Sequence, residues 1–270
     1  MISAVGCGTF QVTGSPPVVR VAACQTLCID GDLEGNLKRI EYATEQAAAQ
    51  KSKLTCFPET ALLGWVNPQA HKLADSIPGP MYQRVADLAR KYKIMISIGL
   101  AEKDGKKLYD SVVLIDKDGS LLLKHRKINT IRHLMKPPYT RGKKEDIDAV
   151  DTKIGRVGML ICADTFKEDL IKAARAKKPD LLIVPYGWAA QKEEWPGHLE
   201  SLIKTVTKTA RLAGCPVVGT DLVGTITNGP WTGYTYGGGS VVTDRKGKVL
   251  AVLRDRDTDF QMVNIPIGRK

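Results

Sequence analysis

Short, continuous apolar runs alternate with longer stretches in which apolar residues recur every three or four positions. Val18 to Cys24 is such a run and reads as a buried strand. Asp32 can cap a helix from Leu33 to Gln50, with Leu37, Ile40, Ala43, Ala47 and Ala48 on one face. Leu54 to Phe57 is a second strand, closed by Pro58-Glu59-Thr60. Pro80 opens a second helix that runs to about Lys91, and Ile94 to Leu100 is a third strand. Lys107 to Ile115 and Leu121 to Arg126 flank Asp116-Lys117-Asp118-Gly119, a hairpin signal.

The pattern then repeats. Lys153 to Ile161 reads as a strand, Phe166 to Ala176 as a helix, and Leu181 to Pro185 as a strand. Trp195 to Leu212 is a long helix, followed by a strand from Cys215 to Thr220. Gly239 to Thr243 and Val249 to Leu253 form a second hairpin, and Phe260 to Ile265 is the last strand. Each half is therefore β-α-β-α-β followed by antiparallel strands. Two such α/β halves, each with helices on one face, are expected to stack sheet on sheet with helices outside. The repeat is one of architecture, with little residue identity between the halves. Residues 1–17, ending in Ser15-Pro16-Pro17, read as a loose arm before a single domain spanning 18–270.

Composition narrows this picture only slightly. With 270 residues and 43% hydrophobic content, the chain can bury one large core. The formal charge of +11 permits nucleic acid, a membrane surface or an anionic substrate as partner and selects none of them. No nucleic-acid motif accompanies the charge, aromatic content is 6%, and no apolar run approaches the roughly 18 residues that cross a bilayer. The segment Lys124 to Lys144 holds Lys or Arg at positions 124, 126, 127, 132, 136, 141, 143 and 144 and no acid. That is a solvated loop, or a lure for an anion if a pocket lies near. The six cysteines (Cys7, Cys24, Cys28, Cys56, Cys162, Cys215) are scattered through apolar runs, and only Cys24/Cys28 approach metal-ligand spacing. Reduced thiols in a cytoplasmic setting fit that distribution.

The candidate chemistry lies at strand ends. Cys162 stands where the run Val157 to Ile161 gives way to a helical pattern, beside backbone N–H groups that a helix start leaves free. Such groups stabilise both a thiolate and an oxyanion. Taken alone, Cys162 reads more readily as a buried small hydrophobe. However, Glu59 follows the second strand of the first half and Lys127 ends its hairpin. Ends of neighbouring strands in α/β sheets face a common crevice. An acid to take the thiol proton, a thiol to attack a carbonyl or nitrile carbon, and an ammonium with the Ala163 N–H to hold the oxyanion together suit acyl transfer. His71, His125, His133 and His198 read as surface or structural residues and form no Ser–His pair. Tyr186-Gly187-Trp188, past another strand end, reads as pocket lining or as a turn with a packed aromatic.

Across Val18 to Ile265 the chain resembles the carbon–nitrogen hydrolase family, the nitrilase superfamily. Cys24-Gln25 is similar to the family's opening, and Phe57-Pro58-Glu59-Thr60-Ala61 with Gly64-Trp65 to its first catalytic segment. Lys124-His125-Arg126-Lys127-Ile128 resembles the second, and Gly155-Arg156-Val157-Gly158 with Ile161-Cys162-Ala163-Asp164 the third. Gly239-Ser240 with Asp244 and Gly247 resembles the closing hairpin. The resemblance implies a four-layer α-β-β-α sandwich that pairs into homodimers or larger homo-oligomers. It implies no metal or organic cofactor, and it assigns Glu59 as general base, Lys127 as catalytic lysine and Cys162 as nucleophile.

The departures bear on substrate. The family's second glutamate, shortly past the lysine, is absent: Leu134 and Met135 stand there, and the next acid is Glu145. Its role is lost or has moved to another carboxylate. Asp164 is a candidate, and a helix cap is the alternative reading of that aspartate. Ala163 is small where many members carry an aromatic or polar side chain, and Asp221 stands where an asparagine is frequent. Nitrile-cleaving members tend to carry a bulky aromatic beside the nucleophile and a longer C-terminal tail. The expected activity is therefore hydrolysis of a small linear amide or N-carbamoyl compound through a thioester at Cys162. The alternative is a catalytically degenerate relative that binds a small molecule or partner without turnover.

Overall fold

The first apolar run forms β1 (Val18–Gln25), and Asp32 starts α1 (Leu33–Ala49) by accepting the Gly35 N–H at Oδ1, 3.0 Å away. In this computed structural model, which describes residues 17–195 and 197–268, β2 (Leu54–Cys56) follows, then a short α2 (Ala70–Leu73) and α3 (Pro80–Tyr92) with proline in its first turn. Next come β3 (Met95–Asp104) and the hairpin of β4 (Lys107–Ile115) and β5 (Leu121–Arg126). The second half contains β6 (Ala149–Thr152), β7 (Gly155–Met159), α4 (Glu168–Ala176), β8 (Leu181–Pro185), β9 (Ala189–Ala190) and α5 (Gly197–Ala213). It continues with β10 (Val217–Thr220), β11 (Val223–Thr225), β12 (Thr235–Gly237), β13 (Val241–Thr243), β14 (Val249–Val252) and β15 (Asp259–Pro266). The arm expected over residues 1–17, and Cys7 with it, lies outside the described residues except for Pro17.

Two six-stranded sheets result, ordered β15-β1-β2-β3-β4-β5 and β14-β13-β10-β8-β7-β6. In the first, β1, β2 and β3 are parallel, and β15, β4 and β5 pair antiparallel with their neighbours. In the second, β7, β8 and β10 are parallel, flanked by antiparallel β6 and β13–β14. The period-two pleat divides each strand between layers. Val21, Ala23, Val112 and Leu114 join Val157, Met159, Ile183 and Val218 between the sheets. Ala22, Cys24, Val113 and Ile115 turn the other way, toward Ile40 and Ala47 of α1 and Val85 and Ala89 of α3. With α4 and α5 covering the other outer face, the layers are α-β-β-α.

Three features depart from the sequence reading. Lys153 to Ile161 is not one strand: the chain turns at Lys153-Ile154, so β6 and β7 form a hairpin, with Gly155 at φ +105°. The β6 segment lies where the sequence reading assigned no element. Phe166 does not begin a helix; Cys162–Phe166 is a tight 3-10 turn, and α4 starts after a break at Lys167. The small sheet β11-β12-β9 was not foreseen, since its strands are only two or three residues long. The pseudo-repeat also closes in an unexpected way. Edge strand β6 immediately precedes β7, whereas its counterpart beside β1 is β15, from the far end of the chain.

Candidate active site

Strand direction gathers the site. Strands β2, β5, β7, β8 and β10 all finish at one end of the sandwich, and Glu59, Lys127, Cys162, Tyr186 and Asp221 lie just beyond them. After β2 the chain stays against β3: Phe57 N–H donates to Ser97 C=O at 2.8 Å, Gly99 N–H to Pro58 C=O at 3.0 Å, and Ala61 N–H to Gly99 C=O at 3.0 Å. These bonds fix the backbone on either side of Glu59. Its own N–H donates to Tyr186 C=O at 3.2 Å, which ties the first sheet's loop to the second sheet.

Glu59 and Lys127 are both buried and form an ion pair between Oε1 and Nζ. Glu59 Oε2 has no hydrogen-bond partner. It lies beside Gly187, where an added Cβ would stand 3.2 Å from Oε2. The Gly187 N–H faces the Cys162 thiol and favours its ionisation. The acid thus holds the lysine with one oxygen and leaves the other on the nucleophile's side. Lys127 Nζ also stands 3.4 Å from Asp110 Oδ2 and 5.7 Å from the centre of the Trp65 ring.

Cys162 is 5% exposed and opens its turn at φ +40°, a left-handed conformation that costs a non-glycine residue energy and marks functional positions. Burial, then the Glu59 charge, push its thiol well above the usual range, while Lys127 and the Gly187 N–H pull it down. The Cys162 thiol is therefore held in its protonated form. Burial opposes the Lys127 charge, but Glu59, Cys162 and Asp110 outweigh it and hold the ammonium well above its usual range.

The other expected residues divide. Ala163 is buried directly behind the nucleophile, and its carbonyl accepts from Asn129 Nδ2 at 2.8 Å. Asp164 is placed differently from the lysine partner or substrate contact that the sequence suggested. Its Oδ1 accepts the Ile128 and Asn129 N–H groups at 3.0 and 2.8 Å, and its Oδ2 meets His125 Nε2 at 2.9 Å and the Ile161 N–H at 3.2 Å. Both oxygens are consumed in clamping the Cys162 turn to the segment behind Lys127, and no ion pair joins Asp164 to Lys127 among the described residues. Tyr186 is fully buried, with its hydroxyl 3.2 Å from Thr165 Oγ1, so it packs the wall behind the nucleophile. The Trp188 ring is half-buried between Phe166, 44% exposed, and His198, at centroid distances of 5.3 and 5.5 Å. The backbone N–H of Trp188 donates to Asp221 Oδ1 at 2.8 Å.

Two residues escaped the sequence reading: Asp110, fully buried on β4, and Tyr139, whose buried hydroxyl has no hydrogen-bond partner. The available signal for Asp110 was an acid inside an otherwise apolar strand, Leu108 to Ile115. Of the basic segment, Lys124 and Arg126 pair with Glu102 on the opposite face of the sheet, and Lys144 pairs with Asp169. Among the described residues no group of three or more His, Cys, Asp or Glu side chains is arranged to hold a metal ion, and no helix is long and apolar enough to cross a membrane.

The carbon–nitrogen hydrolase family profile matches residues 20–269. Nitrilase 3 of Arabidopsis thaliana is 28% identical over 282 residues, covering 90% of this chain and 78% of that protein. The bifunctional nitrilase/nitrile hydratase NIT4B of Nicotiana tabacum is 28% identical over 204 residues, covering 68% of this chain but 58% of its own length. Among solved structures, an amidase of the nitrilase superfamily from Nesterenkonia AN1 superimposes with a TM-score of 0.79 at 22% identity, covering 94% of this chain and 92% of that one. A carbon–nitrogen hydrolase from Helicobacter pylori G27 gives 0.83 at 21% identity, covering 92% and 89%. The fold is shared with these structures, the profile spans nearly the whole chain, and the protein belongs to the carbon–nitrogen hydrolase family.

Proposed function

We propose that the protein hydrolyses a small linear amide or N-carbamoyl compound through a thioester on Cys162. The observation that carries this reading is the division of labour at Glu59, with one oxygen on Lys127 and the other unpartnered beside Gly187, whose N–H meets the thiol. As Sγ bonds to the substrate carbonyl carbon, Glu59 takes the thiol proton. The carbonyl electrons move onto oxygen, where the Lys127 ammonium and the Ala163 N–H stabilise them. The tetrahedral adduct collapses, the C–N bond breaks, and the proton held on Glu59 leaves with ammonia. A water, deprotonated by Glu59, then attacks the thioester and releases the carboxylic acid and the thiol.

The Nesterenkonia AN1 amidase supports this reading, since a variant of it is described as carrying the acetamide moiety of fluoroacetamide on its active-site cysteine. The small Ala163 beside the nucleophile favours amides. A nitrile substrate is the second reading, favoured by the plant nitrilases among the relatives. Trp188 and the exposed Phe166 next to it are assigned to the entrance. Buried Cys24, Cys28, Cys56 and Cys162 fit a cytoplasmic protein, and the family resemblance supports a homodimer or larger homo-oligomer.

Ammonia release from pooled small amides, N-carbamoyl compounds and nitriles, with intact-mass detection of an adduct, tests the reading. Release from the amides, lost in Cys162→Ala with an unchanged circular dichroism spectrum, is the expected result. Unchanged release in that variant rejects the mechanism, release from nitriles alone favours the second reading, and neither release nor adduct favours a binding protein without turnover.

A further inference from the structure

Lys127 and Asp110 meet twice. The Lys127 N–H donates to the Asp110 carbonyl at 2.8 Å, and the side chains meet again with Nζ 3.4 Å from Oδ2. Asp110 comes to this end of the sandwich because β4 runs against β3 and β5, so the start of β4 lies where β5 finishes. The pleat points it, with Val112, into the space between the sheets, whereas Tyr109 and Ser111 face Glu102 on the other side.

The charged groups around Asp110 are few. Glu59 comes from the loop after β2 and Lys127 from the end of β5, and the Tyr139 hydroxyl comes from the connection after β5. On the same face, His125 is already engaged by Asp164. One ammonium therefore stands beside two carboxyl groups, all out of water. Two carboxylates would leave a net buried negative charge, which is costly, while one proton on the trio brings it to neutrality. Burial and the Glu59 charge push Asp110 well up, so that proton belongs on Asp110.

We propose that Asp110 is a positioning residue that aims the ammonium of Lys127 at Glu59 and Cys162 and stands in for the glutamate missing near Leu134 and Met135. This rests on the catalytic reading above and extends it. Neither Asp110 carboxyl oxygen has a hydrogen-bond partner, and Oδ2 is the one nearest the ammonium; a neutral acid offers Lys127 a C=O acceptor, and an asparagine offers the same acceptor.

The test reads Lys127 through the Cys162 thiol, whose ionisation the ammonium favours. Full-length protein is treated with iodoacetamide at mildly alkaline pH, and the Cys162 peptide is quantified by mass spectrometry. A shift of one unit in thiol ionisation changes the thiolate fraction about tenfold, and alkylation follows it. Asp110→Ala is expected to slow alkylation about tenfold, and Asp110→Asn to stay within about threefold of wild type. In a Lys127→Gln background Asp110→Ala is expected to add nothing further, which a general loosening of the fold would not produce. Wild-type rates in Asp110→Ala, an Asp110→Asn rate as low as that of the alanine variant, or an undiminished effect in the Lys127→Gln background would each overturn the proposal. If the alanine variant does not fold, the asparagine variant alone decides. Because no amide turnover is measured, a protein that releases no ammonia still answers this question.

Discussion

Gly99 lies directly beneath Glu59: a Cβ on Gly99 would stand 2.5 Å from the Glu59 Cα and 2.5 Å from the Thr60 nitrogen. Backbone atoms on both sides leave no room for a side chain, so the second residue of this pair sits where it does because the first has none.

Gly99→Ala is therefore expected to push the Glu59 loop away from β3. A displacement on the order of 1 Å at a catalytic group costs about 100-fold in turnover. Stability is expected to fall by about 1–3 kcal/mol, as for other overpacked positions. Steady-state kinetics on the best amide, with a thermal melt beside them, checks both. Wild-type turnover in this variant contradicts the assignment of Glu59 as base.

Glu59→Gln separates two effects of one side chain. The amide keeps an oxygen for Lys127 but cannot take a proton, so turnover is expected to fall by about 10²–10⁴-fold. The Glu59 charge is one of the causes that raise the Cys162 thiol, so its removal moves thiol ionisation to lower pH. Ultraviolet thiolate absorbance across pH, taken as a difference from Cys162→Ala, measures that shift. A thiol that ionises at higher pH in Glu59→Gln would contradict the electrostatics described.

Asp164→Ala tests the clamp. The substitution strands the Ile128, Asn129 and Ile161 N–H groups and removes the partner of His125. Leaving several buried groups without partners is expected to cost about 3–5 kcal/mol, or roughly 10 °C in melting temperature for a chain of this size. Activity should fall with stability. Trp188→Ala, at the entrance, is expected instead to raise KM with a small change in melting temperature. A melting temperature for Asp164→Ala within about 2 °C of wild type would remove the clamp from the account.

Asp221 gives a pH prediction. It is fully buried, its Oδ1 accepts from Trp188 and Leu222, its Oδ2 has no hydrogen-bond partner, and burial pushes its carboxyl well above the usual range. The folded protein therefore holds a proton that the unfolded chain releases. That contribution to stability is complete below the ordinary aspartate range and is lost as pH rises through the folded value. Asp221→Asn has nothing to titrate there. It should melt higher than wild type at neutral pH, by roughly 2–4 °C per kcal/mol recovered, and the gap should close toward pH ~4. A gap that widens on acidification contradicts this.

Much of this protein was legible in its residues. The apolar runs with amphipathic stretches between them gave β1, α1, α3, the β4–β5 hairpin and α5 nearly to the residue, because burial on one side imposes a period that the order of residues reveals. Glu59, Lys127 and Cys162 each follow a strand end, a position that topology turns into a shared crevice, and the resemblance to the carbon–nitrogen hydrolase segments singled them out. Where the sequence failed, a partner supplied by a distant segment decided. The two-residue β9 exists only because β12, about 45 residues on, pairs with it. Asp164 does cap its turn through the Ile161 N–H, as one reading had it, but its bonds to His125 and the Ile128 and Asn129 N–H groups depend on a distant segment. Asp110 lies at the start of a strand rather than past its end, so its reach to Lys127 depends on β4 running against its neighbours. Local sequence fixes which way a side chain points from its own backbone. Which charges meet in the low-dielectric gap between two sheets is fixed by strand direction and register, and those are set only when the whole chain has packed.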